Sequence, residues 1–323
     1  MVSFREKFSG RLRLPLIAAP MLRVSGPDLV VAAARAGVVG AFPTANAGSP
    51  DELDGWLWRI KSELAETPGF GAPICPNLIV RHSSMADDLA CLVRHKVEVV
   101  ITSVGSPAAV VKPLHDIGCL VLADIASIRH AEKAIEAGVD GLILLTAGAG
   151  GNTGWANAFA FVRAVRRMFD GTIVLAGGVS DGPSLYASQV LGCDLAYMGT
   201  GFIATKESMA SDKYRAMLVA SSLDDVMLTR AMSGLPANML RPSIVAAGLD
   251  PERLDEQVSA ERAKQQFGGG PAGVPGDRPR RWVDIWSAGH SVSGVNAVAD
   301  VASLVDRLAQ EYRDAKLLAQ RCF

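Results

Sequence analysis

The chain has 323 residues, 49% of them hydrophobic, and its 32 Lys and Arg against 33 Asp and Glu leave a net charge of −1. That length allows one large barrel or two smaller domains around a sizeable core. The near-neutral balance excludes the basic footprint of a nucleic-acid binder and favours chemistry on a small molecule. Five cysteines (Cys75, Cys91, Cys119, Cys193 and Cys322) are scattered without a CxxC pair. Neither a metal site nor a disulfide framework is therefore expected, and the thiols read as buried, reduced hydrophobes. The N-terminus is basic but lacks the apolar stretch of a signal peptide, and no run of about 18 uncharged apolar residues occurs. A soluble, cytoplasmic protein with no membrane partner is expected.

An apolar run at residues 16–19 ends in Pro20-Met21 and is followed by a helical pattern over 27–36, which opens on a proline and stops at Gly37. A second run at 38–42 leads to a loop with Asn46 and a helix starting near Ser49. Further strands are expected at 73–80, 97–102, 119–123 and 141–145, alternating with helices at 84–95, 107–117 and 128–137 and followed by a longer one at 156–169. Residues 175–205 supply the last two strands, each ending in a glycine turn, Gly177-Gly178 and Gly199-Thr200-Gly201. Eight βα units with continuously apolar strands indicate a parallel sheet covered on both faces. A doubly wound open sheet competes, but the order of the units favours a closed TIM (β/α)8 barrel.

After residue 205 the rhythm stops. Polar helical patterns at 209–222, 223–233 and 250–266 read as a C-terminal helical cap, and a Gly/Pro-rich linker runs from 268 to 279. A closing helix is expected at 297–313. The organisation expected is a cofactor-binding barrel at 1–205, a cap and linker at 206–279, and a segment at 280–323 that packs back on the barrel.

In such a barrel the chemistry belongs to loops at the C-terminal ends of the strands. The turns after strands seven and eight are the usual phosphate site, because glycines there expose backbone N–H groups to an anion. The places to watch are Pro20-Met21, Asn46, Asn77, the loop at 146–155 and the two glycine turns.

Ala19-Pro20-Met21, Asn77, Gly150-Gly151-Asn152, Gly177-Gly178-Val179-Ser180-Asp181-Gly182 and Met198-Gly199-Thr200 leading to Glu207-Ser208 occur in this order. Together they resemble the nitronate monooxygenase family, formerly called 2-nitropropane dioxygenases, and its relatives the FMN-dependent enoyl-ACP reductases and NADH:quinone reductases. The resemblance spans residues 16–208 and resumes at Ser287-Ala288-Gly289. It implies FMN, with Met21 against the flavin, Asn77 hydrogen-bonded to it, and Gly178, Gly199 and Thr200 holding the phosphate. Pro20, Gly150, Gly151 and Gly177 complete the implied cofactor site.

The usual family pattern has a histidine base where this chain has Asn152. An amide neither takes nor gives up a proton near neutral pH, although it can donate hydrogen bonds to an anionic oxygen. His290 stands where many relatives have glutamine and is the candidate to supply the missing base. Asp124 stands where some relatives present a lysine towards the cofactor; an aspartate would repel the phosphate, so it is expected to face helix N–H groups. Thr146 and Thr153 are candidate hydroxyl donors to the flavin. His82 lies on the presumed active face, while His95, His115 and His130 read as solvated helix residues. Met232, Met239 and Leu240 are candidates for the pocket or the core.

Three activities follow from the resemblance. The first is oxidation of an alkyl nitronate with dioxygen to a carbonyl compound and nitrite. The second is a flavin reductase that takes NAD(P)H as co-substrate and acts on a quinone or enoyl thioester. The third is a flavin-binding protein with little turnover. The partner is in each case a small molecule, and the sequence leaves a homo-oligomer open.

Overall fold

The computed structural model describes residues 4–66, 71–268 and 279–322. In chain order its strands are β1 (Leu16–Ala18), β2 (Val39–Pro43), β3 (Ile74–Ile79), β4 (Val99–Ser103), β5 (Leu120–Ile125), β6 (Gly141–Leu145), β7 (Gly151–Asn152), β8 (Thr172–Ala176), β9 (Leu195–Met198), β10 (Val226–Thr229) and β11 (Ala237–Leu240). All but β7, β10 and β11 pair in parallel and close a barrel, β1 against β9 with Ile17 opposite Tyr197. This is the expected TIM barrel.

The continuously apolar strands serve two cores. Inward-facing Ile17, Cys75, Ile101, Leu122, Ile143 and Val174 fill the barrel, while their neighbours Leu16, Val100, Val121, Leu142 and Ile173 pack against the surrounding helices. The helices start where the sequence supplies caps. Ser49 accepts from the Glu52 N–H at 3.1 Å, and Asp181 and Ser184 form a reciprocal capping box on the helix Gly182–Leu191. Phe4 and Phe8, 1% exposed, join the inner core with Leu12 and Leu195. One end of the barrel is thereby filled by a segment whose sequence had suggested no structure.

Beyond residue 205, residues 223–233 depart from the expected helix. A 3-10 turn, Leu223–Asp225, leads into β10, which pairs antiparallel with β11, and β11 pairs in turn with β7. The partner of β10 lies across a hairpin, and the outer strand belongs to a barrel loop, so a local helical pattern yields to long-range pairing. Helices Asp212–Ala220 and Ala260–Phe267 accompany this small sheet, whereas the closing helix Val301–Cys322 packs on the barrel against the helices Gly182–Leu191 and Pro27–Arg35. Met232 and Met239 are fully buried in its own core and Leu240 in an adjoining one, so all three pack as core. The Gly/Pro-rich linker lies almost entirely outside the described residues. No helix among the described residues is long and apolar enough to cross a membrane.

Candidate active site

A pocket opens at the C-terminal ends of the barrel strands. It is lined by Ala19-Pro20-Met21 after β1, Gly148-Ala149-Gly150 after β6, Gly177-Gly178 after β8, Gly199-Thr200 after β9, and Ser287-Ala288 from the segment that folds back. Leu145, Ala176 and Tyr197 of the inner barrel layer also border it.

The first of these loops is held from below and from the side. Ser25 Oγ accepts from the Met21 N–H at 3.0 Å and donates to the Ala19 carbonyl at 3.2 Å. Asn46 donates to the carbonyls of Met21 and Ser25 at 2.9 and 2.8 Å and accepts from the Arg23 N–H. Asn46 is therefore a clamp on Pro20-Met21, a role that its position after strand two did not distinguish from chemistry.

The loop after β6 is satisfied internally. Thr146 Oγ1 donates to the Ala176 carbonyl at 2.8 Å and Thr153 Oγ1 to the Thr146 carbonyl at 2.7 Å, so both hydroxyls hold the loop instead of facing a ligand. Asn238 on β11 donates to the carbonyls of Ala147 and Ala149 at 2.8 and 2.7 Å. A Cβ on Gly150 would stand 2.6 Å from the Gly289 nitrogen and 2.8 Å from the Ala288 carbonyl carbon. Gly150 thus lets residues 288–289 lie directly on the loop, and Thr200 Oγ1 accepts from the Gly289 N–H at 3.0 Å. Tyr214, stacked on Trp286 with ring centroids 5.0 Å apart, donates to the Ser287 carbonyl at 2.5 Å. Asn238 and Tyr214 were invisible as site residues because their targets lie dozens of residues away.

The turn after β8 differs. Gly178 has φ +78, and a Cβ there would meet nothing within 4 Å. The N–H groups of Gly178 and Gly199 find no acceptor among the described residues. Two unpartnered amides border one pocket wall, the arrangement that receives an anionic oxygen. Glu207 and Ser208 serve the framework: Glu207 caps the closing helix at the Val301 N–H (3.0 Å), and Ser208 Oγ donates to the Ile203 carbonyl.

Two inner-layer side chains also carry unpartnered buried atoms. Asn77 accepts from Ser103 Oγ at 3.2 Å through Oδ1, yet its Nδ2 has no partner. Asp124 does not face helix N–H groups as expected. Strand alternation places it on the same inward face as Leu120 and Leu122, and its Oδ1 is buried and unpartnered. Burial raises its carboxyl to about 7, and its charge adds to the burial that pushes Tyr197 upward.

Asn152 and His290 are both exposed and neither lines the pocket, although Gly150, Ala288 and Ser291 beside them do. Gly151, φ +66, is buried in β7, where Asn152 pairs with Ala237. The His290 N–H donates to the Gly148 carbonyl at 3.0 Å. His82 lies within 2.8 Å of Ser84 Oγ, so it is engaged locally. His95 and His115 are not simply solvated: their Nε2 atoms lie 3.0 Å from Asp54 and 2.8 Å from Asp140. Both pairs hold elements on the outside of the barrel.

The sequence profile described as nitronate monooxygenase matches residues 77–265, more than half of the chain. The chain belongs to the nitronate monooxygenase family. It is an oxidoreductase, as are the relatives it matches. The family match runs from Asn77 through the glycine turns to the small sheet, whereas Pro20, Met21 and His290 lie outside it. A nitronate monooxygenase of Paraburkholderia phytofirmans is 26% identical over 312 residues, covering 79% of this chain and 84% of the relative. A (3aS,4S,5R,7aS)-5-hydroxy-7a-methyl-1-oxo-octahydro-1H-indene-4-carboxyl-CoA dehydrogenase of Rhodococcus jostii is 28% identical over 253 residues, covering 78% of this chain and 70% of the relative. FabK of Thermotoga maritima shares the fold over the full length of both chains, with a TM-score of 0.83 at 24% identity.

Proposed function

We propose that this family member binds FMN at the barrel mouth and oxidises an alkyl nitronate with dioxygen to a carbonyl compound and nitrite. The observation that carries the cofactor is the open turn at Gly178 with its unpartnered N–H, on the same pocket as a second unpartnered N–H at Gly199. These amides fit a phosphate, and the orphaned Nδ2 of Asn77 fits a carbonyl or ring nitrogen of a flavin. When bound, FMN supplies the electron acceptor and the reaction with dioxygen.

The chain's own residues bind, orient and select. Pro20 and Met21, fixed by Ser25 and Asn46, form one wall for the ring, and Gly177, Gly178, Gly199 and Thr200 hold the phosphate end. Gly150 and Gly151 keep the opposite loop close to residues 287–289. Asn152 stands outside the pocket, and its amide removes no proton. The expected result is turnover of an alkyl nitronate but not of the parent nitroalkane at the same pH. Comparable rates on both forms would show that a base is present after all, and His290→Ala would then identify it or clear it.

The match to a CoA-thioester dehydrogenase supports a second reading, in which NAD(P)H reduces the cofactor for a thioester or quinone substrate. Anaerobic mixing with NADH separates the two. Rapid loss of the flavin colour favours the reductase, and an unchanged spectrum favours the monooxygenase.

A further inference from the structure

Among the described residues only two buried side-chain atoms lack a hydrogen-bond partner, Asn77 Nδ2 and Asp124 Oδ1. Asn77 is accounted for by the FMN reading; Asp124 is not. It stands near the C-terminal end of β5, one residue before the strand ends, and points into the barrel. Its charge reaches Tyr197, which borders the pocket, and Cys75. Among the described residues no cation pairs with it and no N–H caps it, so ionisation there is opposed by desolvation.

The other groups around it cannot respond to a change of charge by taking up a proton. From β3 it faces Cys75 and from β9 Tyr197. Both are pushed upward by burial and hold their protons throughout the physiological range. From the flanking β4 and β6, the inward residues Ile101, Ser103, Ile143 and Leu145 do not titrate. Asp124 alone has a vacant site for a proton, and it ionises near neutrality.

We propose that Asp124 is a proton-holding residue beneath the cofactor: when bound FMN gains two electrons, the Asp124 carboxylate takes one proton from solvent, forming an O–H bond, and releases it on reoxidation. The proposal rests on the FMN reading above. The added electrons bring negative charge next to a water-poor layer, and the charge is offset by converting –COO⁻ to –COOH. Neither atoms nor electrons pass between Asp124 and the substrate.

The test is the midpoint potential of FMN bound to the full-length protein, measured by dithionite titration from pH 5.5 to 9, for the wild type and for Asp124→Asn. Reduction raises the affinity of Asp124 for its proton. Above about pH 7 the wild type is therefore expected to bind one more proton per electron pair than the variant, an extra slope of about 30 mV per pH unit. Below pH 6 the two slopes should coincide, and Asp124→Glu should restore the extra proton. Parallel slopes over the whole range overturn the proposal while leaving FMN binding intact. If the asparagine variant fails to fold, Asp124→Ser takes its place, with the same extra slope expected of the wild type above pH 7 and parallel slopes overturning the proposal. A protein that cannot be loaded with FMN overturns the functional reading itself, and the proposal with it.

Discussion

The two glycine-rich loops that border the pocket, after β6 and after β8, pack on each other and differ in how much of their backbone the protein itself uses. In the loop after β6, carbonyls, hydroxyls and glycine faces are all used by the protein: Asn238 takes two carbonyls, Thr146 and Thr153 bond within the loop, and Gly150 receives the backbone of residues 288–289. In the turn after β8, Gly178 adopts a left-handed conformation with nothing opposite its Cα and no acceptor for its N–H. Gly177 in the same turn is committed to packing, since a Cβ there would run into Thr146 Oγ1 and stand 2.6 Å from the Ala149 nitrogen, so an open donor at Gly178 adjoins a close-packed glycine and only the neighbours distinguish them.

The largest expected effect comes from Gly150→Ala. Its Cβ would collide with backbone atoms that cannot rotate away, so a stability loss at the upper end of about 1–3 kcal/mol is expected in chemical denaturation. Full stability would mean that residues 288–289 can withdraw from the loop. Gly178→Ala meets no neighbour and carries only backbone strain, about 1–2 kcal/mol, yet it adds a methyl group to a residue that lines the pocket. Its FMN affinity should fall at least roughly tenfold, about 1.4 kcal/mol. If FMN affinity were unchanged in Gly178→Ala, the contrast between the loops would collapse.

A smaller effect follows from the unpartnered carboxylate oxygen of Asp124 on β5. The ordinary value for Asp124 is 3.8 and burial raises it to about 7, so between these values the native FMN-free protein holds a proton that the unfolded chain has lost. Stability contributed by the protonated form is present at about pH 4, declines as pH rises to 7 and levels off above. Asp124→Asn removes that dependence. Thermal melts should therefore show the variant gaining on the wild type between pH 4 and 7 and holding a constant difference above it. An equal difference at pH 4.5 and pH 8 would place Asp124 in a less demanding environment.

Much of the fold was legible because apolar strands and helix punctuation are local signals. Pro27, Ser49 and Gly37 mark element ends in the sequence as they do in the structure. The β10–β11 hairpin was not legible, since its pairing with β7 joins residues 151–152 to residues 237–238. The same distance hid Asn238 and Tyr214. The glycine turns were legible as parts of the barrel mouth, but not which glycines are committed to packing. The inward orientation of Asp124 follows from strand alternation with Leu120 and Leu122, a signal that outweighs any expected repulsion by an anion.

The central claim is that the turns at Gly178 and Gly199 recognise the phosphate of FMN. It is tested most directly by titrating the cofactor-free wild-type protein with FMN and with riboflavin, which lacks the phosphate. Two charge-assisted hydrogen bonds of about 1.5–3 kcal/mol each predict that FMN binds roughly a hundredfold tighter or more. Equal affinity for the two flavins would contradict it.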